Sequence, residues 1–206
     1  MSAVEPFTLR LAQPEDDPVI AGLVVEGFLD KFRPVFGRGM DNSVRIMHKW
    51  IQLEHASGGV QSLVVESASE IIASVGVRTA ESREDVMARG LWRTLTHNLG
   101  VPRAFWATTL LSYPRYSATA AEAYIERLVV APEFQGAGLG RRLLSASETL
   151  GRDAGKDTVG LHVSGTNMPA LKLYESAGYK EVSRQRSLMT SYFLDIRDWI
   201  YLRKSL

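Results

Sequence analysis

The sequence predicts one α/β domain, and three observations carry that prediction. Strand-like alternation and helix-like periodicity follow one another along the chain, with no internal repeat, low-complexity tract or linker. The stretch "APEFQGAGLGRRLL" places Gly136, Gly138 and Gly140 between an apolar β-branched run and a helix-forming segment. Finally, 206 residues with 45% hydrophobic and 23% charged residues are enough for one real core and ordinary for a globular chain.

The elements follow in order. "FTLRLA" alternates and reads as a strand, and "QPEDDPVIAGLVVEGFLDKF" as a helix with Ile20, Val24, Phe28 and Phe32 on one face. "RPVFGRGM" reads as a loop, and "DNSVRIMHKWIQLEHA" as a second helix capped at Asp41 or Asn42. "GGVQSLVVES" and "EIIASVGVRT" read as strands joined near residues 68–70. A helical insertion of about residues 81–120 comes next: a helix presenting Val86, Met87, Leu91, Leu95 and Leu99, a Gly–Pro break, a short helix and a polar loop. It is too short to bury a core of its own. "AYIERLVV" is a strand buried on both sides, followed by the glycine segment and a helix with Leu139, Leu143, Leu144 and Leu150 inward. "TVGLHVSG" is a strand, "NMPALKLYESAG" a short helix and "YKEVSRQRSLM" a strand. "SYFLDIRDWIYLRKSL" is a closing strand, with Trp199, Tyr201 and Arg203 alternating against Ile200 and Leu202.

Composition excludes several functions. A net charge of +1 provides no field for a polyanionic partner, and without cysteine there is no disulfide, thiolate zinc site or cysteine nucleophile. Glu5 and Pro6 interrupt what a signal peptide would need, and no apolar run approaches the roughly 18 residues of a membrane span. The expectation is a cytoplasmic protein that meets neither nucleic acid nor membrane. His48 and His55 are two helical turns apart, and His97 and His162 are isolated, so no metal is assigned. Arg184, Arg186, Arg197, Arg203 and Lys204 read as solvated strand surface.

The glycines fit one phosphate-loop pattern of three. A Walker loop needs Lys then Ser or Thr where Arg141 and Arg142 stand, and a dinucleotide fingerprint counted from Gly136 would end on Arg141, too large for close packing. Q-x-x-G-x-G fits at Gln135, Gly138 and Gly140. A strand ending near Val130, a tight loop and a helix start would present bare N–H groups and a positive dipole end to an anion, with Arg141 and Arg142 adding charge. A glycine-rich turn with no ligand remains the alternative at this point.

Here the sequence resembles the GNAT superfamily of N-acetyltransferases, which move an acyl group from acyl-CoA to an amine. "QGAGLG" matches the family's pyrophosphate loop, and "YIERLVVAPEF" its central strand. "NMPALKLYESAGYKEV" matches a second signature at Asn167, Ala170, Tyr174, Gly178 and Tyr179. Together they cover residues 124 to about 182. The resemblance implies a mixed, mostly antiparallel sheet with a splayed parallel strand pair and helices on both faces, the insertion lying between the third and fourth strands. It implies acetyl-CoA as co-substrate. Backbone groups of Leu128, Val129 and Val130 would pair with pantetheine, with Asn167 nearby, and Gln135, Gly136, Ala137, Gly138, Leu139, Gly140 and Arg141 would hold the pyrophosphate.

The resemblance also supplies catalytic candidates. Tyr174 stands where family members carry the tyrosine that protonates the leaving thiolate; otherwise it is a core aromatic. Glu126, placed by two-residue periodicity with Tyr124, Leu128 and Val130, is a partly desolvated carboxylate fit for a base. It could instead pair with an arginine such as Arg115 or orient substrate, while a water chain serves as base.

The acceptor side, "DKFRPVFGRGM" and the insertion, is aromatic and poor in acids, Glu81, Glu84 and Asp85 being equally helix-start charges. That favours a modest, partly apolar amine, a small molecule or peptide, over a polyamine. The expectation is an N-acetyltransferase acting by direct transfer on a primary amine, with a homodimer as the oligomer to test. The competing reading is a non-catalytic acyl-CoA-binding regulatory module; intact Asn167 and Tyr174 favour the enzyme.

Overall fold

Seven strands form one sheet in the order β1-β2-β3-β4-β5-β7-β6 in the computed structural model. The strands are β1 (Thr8–Leu11), β2 (Val60–Ser67), β3 (Glu70–Arg78), β4 (Glu122–Val130), β5 (Thr158–Ser164), β6 (Lys180–Arg186) and β7 (Asp198–Ser205). The structure describes residues 7–36, 40–80, 84–114 and 119–206, without the side chains of Asp30, Met40 and Glu84. All neighbours are antiparallel except β4 and β5, the parallel pair the sequence led us to expect. The turn from β2 to β3 is made by Ala68 and Ser69, both at positive φ (47° and 70°), as a tight hairpin of this hand requires.

Helices α1 (Asp17–Gly27), α2 (Leu29–Phe36), α3 (Met40–Ser57), α4 (Glu84–Leu99) and α5 (Val101–Leu111) join one apolar cluster. Ile20, Val24, Ile46, Ile51, Leu95 and Leu110 fill it against Val64 and Val129 of the sheet. On the opposite face, α6 (Leu139–Asp153) and α7 (Met168–Ser176) pack Leu143, Leu144, Leu171 and Tyr174 against Val75, Ile125, Leu161 and Ile200. The helical insertion lies between β3 and β4 as α4 and α5, whose Leu91, Leu95 and Leu99 reach the cluster. Its beginning, with Glu81, and residues 115–118, with Arg115, lie outside the described residues.

Two elements differ from expectation. The first helix is broken at Phe28, and "RPVF" continues as α2 instead of a loop. Gly27 sits so close to β4 that a Cβ there would lie 2.5 Å from Val129 Cγ2, so the chain bends where the helix touches the sheet. Pro34 inside α2 costs ~3 kcal/mol or more of helix. Burial of Phe32, Val35 and Phe36, each contributing roughly 1.5–3 kcal/mol, offsets that. The second difference is α8 (Leu188–Leu194), which occupies the end of one expected strand and the start of the closing one. Ser187 caps it by accepting from Thr190 N at 3.1 Å. Buried Thr190 then donates to Ile196 O at 2.7 Å and accepts from Trp199 Nε1 at 3.2 Å. "SLMTSYFL" mixes apolar and hydroxyl residues with no clear two-residue or helical period to separate the two structures; the cap residue was the available signal.

Candidate active site

The site begins where β4 and β5 part. Their pairing runs only from Glu122↔Thr158 to Ile125↔Leu161. Beyond it β4 stays with β3 as far as Val130, and β5 stays with β7 through Ser164↔Trp199. The backbone of residues 126–130 therefore faces a widening gap with no strand on that side. The gap is a cleft of about 360 Å³ whose walls include Phe28, Glu126, Leu128, His162, Asn167 and Tyr174.

A bulge sets what faces the cleft. Gly76 pairs with Arg127 but Val77 with Ile125, leaving Glu126 as an extra residue on β4. This corrects the expected alternation: Leu128 and Val130 pack with the α6 cluster, whereas Val129 packs with the α1 cluster. Glu126 is held by Arg78 of β3, with Nε donating to Oε1 at 2.6 Å, and Arg78 also lies 5.6 Å over the Tyr124 ring. Sequence reasoning had not singled out Arg78. Burial pushes the Glu126 carboxyl above its ordinary value, and the guanidinium of Arg78 opposes that rise. The next residue turns inward: Arg127 pairs with Glu54 of α3 and donates to Ser62 Oγ at 3.1 Å. Its guanidinium lies under Gly76, where a Cβ would approach Cζ to 2.9 Å.

Past Val130, a short 3-10 turn (Pro132–Phe134) leads into the glycine loop. Gln135 Nε2 donates to Val130 O at 3.3 Å. Gly136 and Gly138 both take φ of 82°, a conformation that favours glycine, and a Cβ on either would meet nothing within 4 Å. Gly138 is the N-cap of α6 and no side chain caps the helix. The N–H groups of Leu139, Gly140 and Arg141 thus lack helical acceptors beside an open loop that includes exposed Ala137, an arrangement able to hold an anion. Gly140 has a packing reason of its own, since a Cβ would lie 2.9 Å from Leu173 Cδ2 and hold α6 off α7. The arginines do not turn toward the loop as expected. Arg141 reaches Ser176 Oγ at 2.6 Å and Arg142 reaches Phe7 O at 2.9 Å.

Opposite β4, Asn167 caps α7 by accepting from Ala170 N at 3.2 Å and lines the cleft. Tyr174, about two turns further along α7, also lines it; burial pushes its hydroxyl up to about 12, so it keeps its proton at neutral pH. Glu126 and Tyr174 are thereby brought to one cleft. His162, expected to be structural, borders the same space and its Nδ1 lies 2.8 Å from Tyr124 Oη. Burial lowers His162 to about 4, so it is neutral. Among the described residues no group of His, Asp and Glu could hold a metal ion. His55 instead faces Asp17 at 3.4 Å. No helix among them is long and apolar enough to cross a membrane.

Comparison with known proteins agrees with this geometry. Over 180 residues the chain is 27% identical to mycothiol acetyltransferase of Propionibacterium freudenreichii subsp. shermanii, covering 85% of this chain and 50% of that protein. The chain therefore spans about half the length of this curated relative. Among solved structures it resembles yncA of Salmonella typhimurium with its cofactor acetyl-CoA (TM-score 0.62, 17% identity, 97% and 94% of the two chains). It also resembles the ribosomal-protein-S18-alanine N-acetyltransferase of Escherichia coli (TM-score 0.59, 16% identity, 97% and 94%). The family model "Acetyltransferase (GNAT) family" matches residues 25–179, which takes in the bulged strand, the glycine loop and α7. The chain belongs to the GNAT family of acetyltransferases, which use acetyl-CoA as co-substrate.

Proposed function

We propose that this chain transfers the acetyl group of acetyl-CoA directly to a primary amine of a small molecule or peptide. The observation that carries the reading is the splay beyond Ile125↔Leu161, which opens a cleft lined by a carboxylate and a phenol, with the uncapped start of α6 following the same strand. Acetyl-CoA fits these residues. The open loop of Gly136 and Gly138 and the bare N–H groups of residues 139–141 suit a pyrophosphate, and the unpaired edge of Leu128, Val129 and Val130 suits a pantetheine amide. Bound there, the co-substrate supplies an acyl group activated as a thioester.

The chain's residues then have distinct work. An N–H of the β4 edge polarises the acyl carbonyl as an oxyanion-hole donor. Glu126 takes the proton from the attacking amine, directly or through water, and Arg78 fixes its orientation. The new C–N bond forms as the C–S bond breaks, and Tyr174 gives its proton to the departing sulfur. Val24, Phe28, Phe32 and Met47 wall the acceptor side and exclude water from it.

Tyr174→Phe is the experiment. Acetyl-CoA affinity measured by calorimetry is expected to stay within about twofold, while amine-dependent thiol release falls by ~10²-fold or more. Equal rates for the two proteins would remove Tyr174 from the reaction.

A further inference from the structure

A second chamber of about 570 Å³ adjoins the cleft, lined in part by Gly27, Ser164, Thr166, Tyr192 and Asp195. Phe28, Lys31, Ser164 and Asn167 border both spaces, so they form the passage between them. Of these four only Lys31 is charged. Its ammonium lies 4.9 Å from the Phe28 ring centroid and 4.8 Å from that of Trp199, held by ring faces that favour a cation without neutralising it. Among the described residues Lys31 Nζ makes no ion pair or hydrogen bond.

The other charges at the cleft are already matched. Glu126 is paired with Arg78 and Glu54 with Arg127. His162 is neutral because burial lowers it to about 4. Asp195 lines only the second chamber and, among the described residues, makes no ion pair with Lys31. Desolvation brings Lys31 down to about 8, so a cation near neutral pH is held at a cost that an incoming anion would relieve. Ser164 Oγ stands at the passage and Thr166 Oγ1 beside it in the second chamber, 2.6 Å apart and able to share in binding oxygen.

We propose that Lys31 anchors a carboxylate of the acceptor, so that the amine substrate is an amino-acid-like molecule carrying its carboxylate at the passage and its amine toward Glu126. This rests on the acetyl-transfer reading and narrows its acceptor. A single ammonium beside two hydroxyls matches a singly charged carboxylate, and the apolar wall of Val24, Phe32 and Met47 suits an apolar body between the two ends. Lys31 is a specificity residue and takes no part in bond making.

The test pairs apolar amino acids with their carboxamides, as substrates and as titrants of the protein saturated with acetyl-CoA. The acids are expected to bind and to react at least ~10-fold better than the amides. Lys31→Met should erase that difference by raising KM for the acids, with kcat and acetyl-CoA affinity unchanged, and Lys31→Arg should restore most of it. Equal use of acids and amides by the unaltered protein would overturn the proposal, as would an equal loss on both in Lys31→Met. A Lys31→Met effect confined to acetyl-CoA affinity would also overturn it, assigning Lys31 to a phosphate of the co-substrate. If acetyl-CoA binds yet no amine of any kind releases thiol, the acetyl-transfer reading itself fails and this one with it. Thiol release from amides alone overturns only the Lys31 assignment.

Discussion

Glu126 and Arg127 are consecutive residues of β4, each in an ion pair, and they have opposite consequences. Arg127 and its partner Glu54 are 8% and 6% exposed, with Ser62 and Trp50 adding hydrogen bonds to the pair. Glu126 and Arg78 are 24% and 27% exposed at the rim of the cleft. The bulge produces this split: one extra residue between Ile125 and Arg127 lets two adjacent side chains leave the strand on the face covered by α1 and α3. One ties α3 to the sheet and the other lines the cleft. A buried pair contributes mainly by never being broken, whereas a pair at a cleft can hold a carboxylate in place and still leave it reactive.

The largest expected effect is on the inner pair. Arg127→Met leaves the Glu54 carboxylate buried without its cation, and urea unfolding should show a loss of ~3–5 kcal/mol. A loss below ~1 kcal/mol would mean that the two pairs do not differ in kind. The outer pair should respond in the reverse way. Glu126→Gln is expected to slow thiol release by ~10²-fold or more while leaving unfolding within ~1 kcal/mol. The sign follows from the carboxyl being raised: the folded group takes up a proton more readily than the unfolded one, so ionisation costs stability as pH rises through the folded value. At neutral pH Glu126→Gln removes that cost, which makes its stability equal or slightly higher. A base must be ionised, so the unaltered enzyme should lose activity as pH falls through a value above the ordinary carboxylate range of about 4.3. The Gln variant should show no such limb. A pH profile of kcat/KM with the same limb in both proteins would assign the base to water or to another group.

Part of this was legible in the residues because their conformations admit few alternatives. Gly136 and Gly138 stand at φ of 82°, and a sequence that spends glycines at a strand-to-helix junction announces such a turn. The shared position of Asn167 and Tyr174 on the cleft wall was legible because α7 is short, capped and regular. Glu126 could be chosen but not oriented: a bulge has no marker in "YIERLVV", and it breaks the period-two rule that predicted its neighbours. Arg78 and Lys31 were missed for related reasons. Arg78 meets Glu126 through strand pairing across residues far apart in the chain. Lys31 stands at its passage just past the break between α1 and α2 at Phe28, next to Gly27, which lies close against Val129. Each depends on contacts that no local window contains.

The most direct measurement is calorimetric titration of acetyl-CoA into the unaltered protein and into Gly138→Val. A Cβ at φ of 82° meets no neighbour within 4 Å, so the expected cost to the fold is mainly backbone strain of ~1–2 kcal/mol, while the side chain stands in the path of an anion approaching the start of α6. Micromolar binding that weakens by ~10-fold or more in Gly138→Val, with both proteins folded, is the predicted result. Equal affinities in the two proteins, or no binding at millimolar acetyl-CoA, would contradict the assignment of the splayed cleft and its glycine loop to the co-substrate.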